Sequence, residues 1–208
     1  HMTHYLLSRL SPLDLAAALI GAGWPNDWRL HLDQESRSVY RSQRSENLEK
    51  DLKRSINWGP ITEHRHHILT SVFLDVYGRS LQEFTDEWYL SAHDVRALHD
   101  DGFEIGSHTC SHHVLSRQST SNVSREILES RGRLVDITGS RIESFCYPYG
   151  GHESYDQRAL ETVSACDYRE AFSVESTPMS PTAWNSAENF SLPRYDCVDF
   201  LEFPPAPL

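Results

Sequence analysis

Residues 101–112 read Asp101-Gly102-Phe103-Glu104-Ile105-Gly106-Ser107-His108-Thr109-Cys110-Ser111-His112, and the rest of the chain is read outward from them. Just upstream, Ser91 has the character of a helix N-cap, Asp94 sits in the first turn, Val95 and Leu98 face inward, and Gly102 closes the helix. Phe103 to Ser107 then reads as a short strand, followed by a loop carrying His108, His112 and His113. In parallel α/β folds, loops at the C-terminal ends of strands build active sites. Two imidazoles four residues apart on such a loop can converge on zinc or a neighbouring divalent metal. A catalytic site of that kind takes about three protein ligands and an open position, so a carboxylate remains to be found. With 12 histidines in the chain an H-x-x-x-H spacing also arises by chance, and two polar loop histidines are the plain alternative.

Downstream, helical spacing runs from Asn122 to about Thr138, with Val123, Ile127, Leu134 and Val135 on the inner side and Gly139 at its end. Ile142–Tyr147 reads as a strand and Pro148-Tyr149-Gly150-Gly151 as a turn. Ser154 is expected to cap a helix with Leu160 and Val163 inward. Tyr168–Val174 is a third strand and Phe190–Leu192 a short fourth. This alternation predicts an α/β protein with a parallel sheet, open or closed into a barrel. The proline-rich tail at residues 203–207 is expected to trail on the surface.

Upstream the pattern does not alternate. Ser11-Pro12 opens a helix in which Leu13, Ala16, Ala17 and Ile20 recur at helical spacing. Residues 24–43 are polar and irregular, a charged helix runs from about Glu46 to Ile56, and another from about Thr62 to Tyr77 carries an Ile68, Leu69, Val72, Phe73 stripe. His64, His66 and His67 on its first turns read as exposed surface histidines, because no Cys or Asp completes a ligand set. Residues 1–90 are therefore expected to form a helical region and 91–208 the sheet-bearing part.

Composition narrows the function classes. A net charge of −11 argues against nucleic-acid binding, which depends on neutralising phosphates. No apolar run reaches the length of a membrane span and no secretory signal is visible, so a cytoplasmic location is expected. The four cysteines are scattered with no CxxC pair, and read as buried small side chains in a reducing compartment.

Ser107-His108-Thr109-Cys110-Ser111-His112 resembles the His-(Ser/Thr)-x-x-His motif of the polysaccharide deacetylases of the NodB-homology type. The approach through Leu90-Ser91, Ala97-Leu98 and Asp101 to Gly106 is similar, as is Leu115-Ser116 after the motif. Phe145-Cys146-Tyr147-Pro148-Tyr149-Gly150 resembles the family's third motif, and Leu192-Pro193-Arg194-Tyr195-Asp196 a late segment of one branch. His1-Met2-Thr3-His4-Tyr5-Leu6-Leu7 looks like the start of a helical insertion in that branch. The resemblance implies a distorted or incomplete (β/α) barrel with a helical N-terminal insertion. It implies that His108 and His112 bind a divalent metal, usually zinc, beside an aspartate. The backbone N–H of Tyr149 would hold the oxyanion, and Pro148 would line the acetyl pocket. The substrate would be an N-acetylated amino sugar or glycan, hydrolysed to acetate and a free amine. Independently of the resemblance, Arg194 and Asp196 follow the short fourth strand and are candidates either to point into the cleft, Arg194 orienting a carboxylate or a sugar hydroxyl, or to form a surface ion pair near the tail.

Three features depart from the family. The Thr-Phe-Asp-Asp run of the first motif is missing, Cys146 stands where an arginine is expected, and nothing after His152 is a histidine. Either the chain begins downstream of the first strand, or it is a degenerate member that keeps the scaffold for binding a glycan or a protein. The unpaired edge left by a missing first strand favours the former. Exposed tryptophans among Trp24, Trp28, Trp58, Trp88 and Trp184 would serve the binding reading by stacking on sugar rings. A hydrolase of another amide or imide is a third reading.

Overall fold

A computed structural model describes residues 2–32, 47–59, 65–178 and 187–195. The chain divides into two compact units, His1–Tyr89 and Leu90–Leu208.

The described part of the first unit is helical: α1 (Met2–Leu7), α2 (Pro12–Gly21), a 3-10 turn at Trp28–His31, α3 (Asn47–Trp58), α4 (Arg65–Tyr77) and α5 (Leu81–Trp88). Ser11 caps α2, its hydroxyl accepting from the Asp14 N–H at 3.2 Å, with Pro12 at the first helical position. The buried face of α2 is Leu15, Ala16 and Leu19, not the expected Leu13, Ala16, Ala17, Ile20 row; Leu13 is 69% exposed. Both rows have helical spacing, and the larger apolar area of the paired leucines decides which one turns inward. In α4 the expected stripe of Ile68, Leu69, Val72 and Phe73 is buried, with His66 and His67 exposed; His64 lies outside the described residues. Phe73 meets Phe84 edge to face at 5.0 Å, and around them Leu6, Leu15, Leu19, Leu52 and Ile56 complete a dry core. Trp24, Trp28 and Trp58 are buried, which removes them as sugar platforms; Trp184 lies outside the described residues.

The second unit holds α6 (Ala92–Asp100), a 3-10 turn at Leu115–Arg117, α7 (Thr120–Thr138), β1 (Ser144–Cys146), α8 (Gln157–Ala165), β2 (Glu170–Phe172) and a 3-10 segment at Ala187–Ser191. Ser91 and Asp94 form a reciprocal capping box on α6. Val95 and Leu98 are only half-buried there. Helix α7 starts two residues before the expected point because Ser119 caps it, and Gly139 ends it at φ 69°, a left-handed position that suits glycine. Helix α8 is capped by Asp156, not by Ser154, whose hydroxyl instead donates to the Gly151 carbonyl at 2.7 Å and closes the preceding turn.

The strands are parallel, with Ser144 opposite Glu170, Phe145 opposite Ala171 and Cys146 opposite Phe172. Single parallel bridges extend this pair on both sides, Ser107 to Phe145 and Phe172 to Leu192. The α/β class and parallel pairing thus stand, but among the described residues the ladder is four positions wide and no barrel closes. The expected strand at Phe103–Ser107 contracts to its last residue. It is paired on one side only, and Phe103 is 61% exposed with nothing to cover it. The expected Phe190–Leu192 strand is likewise a 3-10 segment followed by one bridging residue.

Beneath the ladder, α7 and α8 supply Val123, Ile127, Ala159 and Val163 to a core centred on Phe145 and Ala171. Tyr147 stacks on Tyr155 at 3.9 Å, and their hydroxyls reach the Phe190 carbonyl and Ser191 Oγ, fastening the last segment to the sheet. Contrary to expectation, Cys110 is exposed and Cys146 and Cys166 are half-buried, all three free; Cys197 and the 203–207 tail lie outside the described residues. No helix among the described residues is long and apolar enough to cross a membrane.

Phe145 is fully buried between the two helices and β2. Phe145→Ala is expected to lower stability by about 3–5 kcal/mol in urea denaturation, with a matching loss of near-UV circular dichroism.

Candidate active site

The histidine loop begins where the chain leaves the ladder. Gly106 lies so close to β1 that an added Cβ would stand 2.7 Å from Ser144 Oγ. Ser107 is buried, with its hydroxyl 2.6 Å from that of Ser130 on α7. His108 follows, and its Nδ1 lies 2.6 Å from the carbonyl oxygen of Cys146. A carbonyl can only accept, so Nδ1 donates here, and in the neutral ring this leaves the lone pair on Nε2, the form a metal requires.

Thr109 (φ 64°) and His112 (φ 52°) occupy the left-handed region, at a cost of about 1 kcal/mol or more each for a side chain with a Cβ. Two groups offset that cost. Thr109 Oγ1 accepts from the His112 N–H at 3.1 Å. Glu126, buried on α7, places one carboxylate oxygen against the N–H groups of Cys110 (2.9 Å) and Ser111 (2.8 Å). Folded this way, the loop brings the rings of His108 and His112 to 4.9 Å between centroids, inclined by 74°.

The second edge of the site is the turn after β1. Tyr149 (φ 64°) and Gly150 (φ 66°) are both left-handed, and the Gly150 carbonyl accepts from the Val174 N–H at 2.9 Å. Any Cβ at position 150 would come within 3 Å of Val174, so glycine is required there. This turn sets the Tyr149 ring 4.9 Å from that of His112, with Pro148 buried beside it. On the far side of β1, Arg194 follows the Leu192 bridge and donates from Nη1 to Cys146 Sγ at 2.9 Å. Burial pushes the Cys146 thiol pKa up, opposed by the neighbouring Arg194 charge, so the sulfur stays protonated near neutrality.

His108, His112, Pro148, Tyr149 and Arg194 therefore gather at the C-terminal end of the parallel ladder; Asp196 lies outside the described residues. The two imidazoles suit a divalent ion, but among the described residues no third His, Cys, Asp or Glu joins them. Cys110 has its N–H held by Glu126 and its thiol pKa raised by partial burial. Glu126 escaped notice in the sequence because it stands inside the apolar row Val123, Ile127, where a carboxylate breaks the pattern. That break was the available signal, since a buried acid must find donors.

The Polysaccharide deacetylase family model matches residues 68–171, half of the 208-residue chain. The chain belongs to the polysaccharide deacetylase family. Among solved structures, it is similar to a Bacillus anthracis protein assigned to the polysaccharide deacetylases, with 25% identity, TM-score 0.43 and coverage of 51% of this chain and 32% of that one. A Bacillus cereus polysaccharide deacetylase gives 23% identity, TM-score 0.42 and the same 51% and 32% coverage. A Streptococcus pyogenes deacetylase, solved in complex with acetate, gives 16% identity, TM-score 0.48 and coverage of 64% and 58%. The chain thus spans about a third of the two Bacillus proteins. No curated protein matches it.

Removing the Glu126 carboxylate leaves two loop N–H groups without their acceptor. Glu126→Ala is expected to cost about 1.5–3 kcal/mol and to speed amide exchange at Cys110 and Ser111 selectively, while Glu126→Gln, which keeps an acceptor oxygen, has a smaller effect. Hydrogen exchange followed by NMR checks both.

Proposed function

We propose that this chain carries the metal-binding and acyl-recognition parts of a hydrolase that removes an N-acetyl group from an amino sugar or glycan. Family membership supports deacetylation, and the observation that carries the finer reading is the convergence of His108 and His112 at 4.9 Å beside the Tyr149 turn. His108 and His112 would hold a divalent ion, zinc by the nature of the donors, with a third ligand from outside the described residues. Such an ion, when bound, polarises an acyl carbonyl and lowers the pKa of water.

The remaining roles fall to the chain itself. The Cys146 carbonyl fixes the tautomer and direction of the His108 ring. The Tyr149 N–H, on a left-handed turn, would donate to the oxygen that gains charge as water adds to the amide carbon. Pro148 would shape the acetyl pocket and Arg194 would contact the rest of the substrate; Asp196, given the same role from the sequence, lies outside the described residues. Collapse of the adduct releases acetate and the amine.

A second reading is a catalytically degenerate member that binds a glycan or a protein. Its support is Trp88, 58% exposed, the described tryptophan left to stack on a sugar. Zinc titrated calorimetrically into the chelator-treated chain is expected to bind at one site, with His108→Ala or His112→Ala each weakening it by about 100-fold. If no stoichiometric zinc is taken up, the metal site is wrong. Acetate release from N-acetylated oligosaccharides by the zinc-loaded chain supports hydrolysis; saturable binding of those glycans without release supports the second reading.

A further inference from the structure

Arg194 is exposed, and its contact among the described residues is the Cys146 thiol, 2.9 Å from Nη1. A thiol is a weak, uncharged acceptor and uses one of the five guanidinium N–H donors. Among the described residues, this one contact occupies a single donor of the guanidinium fork. No Asp or Glu among the described residues lies within ion-pair distance of Arg194, although the chain carries 30 acidic residues against 19 basic ones.

Its location is equally particular. Cys146 binds Arg194 through its sulfur and His108 through its carbonyl oxygen, so one residue sets both the guanidinium and the first imidazole. Arg194 and His108 thus share Cys146 as a hydrogen-bond partner. A planar, permanently charged fork matches a carboxylate in bidentate fashion.

We propose that Arg194, seated on the Cys146 thiol, is a carboxylate-binding point of the candidate site. Two sources supply that chemistry: the acetate released by hydrolysis, or an acidic arm on the sugar that carries the N-acetyl group. The inference deepens the deacetylase reading but concerns binding alone, so it is tested without metal. Acetate, N-acetylmuramic acid and the neutral N-acetylglucosamine are titrated into the chelator-treated 208-residue chain at neutral pH. The arginine Nε–H resonances are followed by NMR.

Either carboxylate is expected to shift the Arg194 resonance saturably. Arg194→Gln should weaken that binding at least about tenfold, and Arg194→Lys, which keeps charge but loses the fork, by an intermediate factor. N-acetylmuramic acid binding tighter than both acetate and the neutral sugar identifies the substrate as the source; acetate binding as well identifies the product. The proposal is overturned if neither carboxylate moves the Arg194 signal, or if folded Arg194→Gln binds them as the parent does. Failure of zinc uptake would sink the metal reading and leave this result standing.

Discussion

Cys146, the last residue of β1, is bonded in three directions. Its N–H donates to the Ser107 carbonyl at 2.9 Å, its own carbonyl accepts from His108, and its sulfur receives Arg194. The first bond holds the histidine segment to the sheet, the second aims a ring, and the third steadies a cation. None would form without the parallel register that places Phe145 between Ser107 and Ala171. The register in turn depends on Phe145 filling the space over α7 and α8. Chemistry at the upper rim is thus a consequence of packing below it.

Buried polarity supports the same arrangement from the side. The left-handed conformations of Thr109 and His112 persist because a carboxylate from α7 gathers the loop's N–H groups. An acid buried in an apolar interface is costly unless its lone pairs are used, and here the loop uses them. A second anchor holds the chain just beyond the loop. Arg158 on α8, itself braced by Asp156, donates to the carbonyls of Gln118 and Ser116. Both helices behind the sheet thereby contribute to holding the loop.

Much of this could be read from the residues and some could not. Helix α6 was legible from its Ser91 cap and α7 from its apolar spacing and terminal Gly139, while the Ser119 cap of α7 was not. The pairing of His108, His112 and the Tyr149 turn was legible from motif order and strand context. The outer strands were overestimated, because a run such as Phe103–Ser107 has strand character that only a second neighbour converts into a ladder. On α2 two rows had equal periodicity, and only tertiary burial separated Leu15 and Leu19 from Leu13 and Ala17. The Arg194 to Cys146 contact joins residues 48 apart in sequence, and no local pattern announces such a meeting.

His112 and Tyr149 adopt a backbone geometry that glycine would accept without penalty. Selection acting on folding alone would drift toward glycine at both places, and the protein would grow more robust as its rings disappeared. An imidazole and a phenol standing there mark positions where the polypeptide is kept short of its own thermodynamic optimum. Any effort to harden this protein by relieving its turns would therefore erase, first of all, the two side chains that face each other across the cleft.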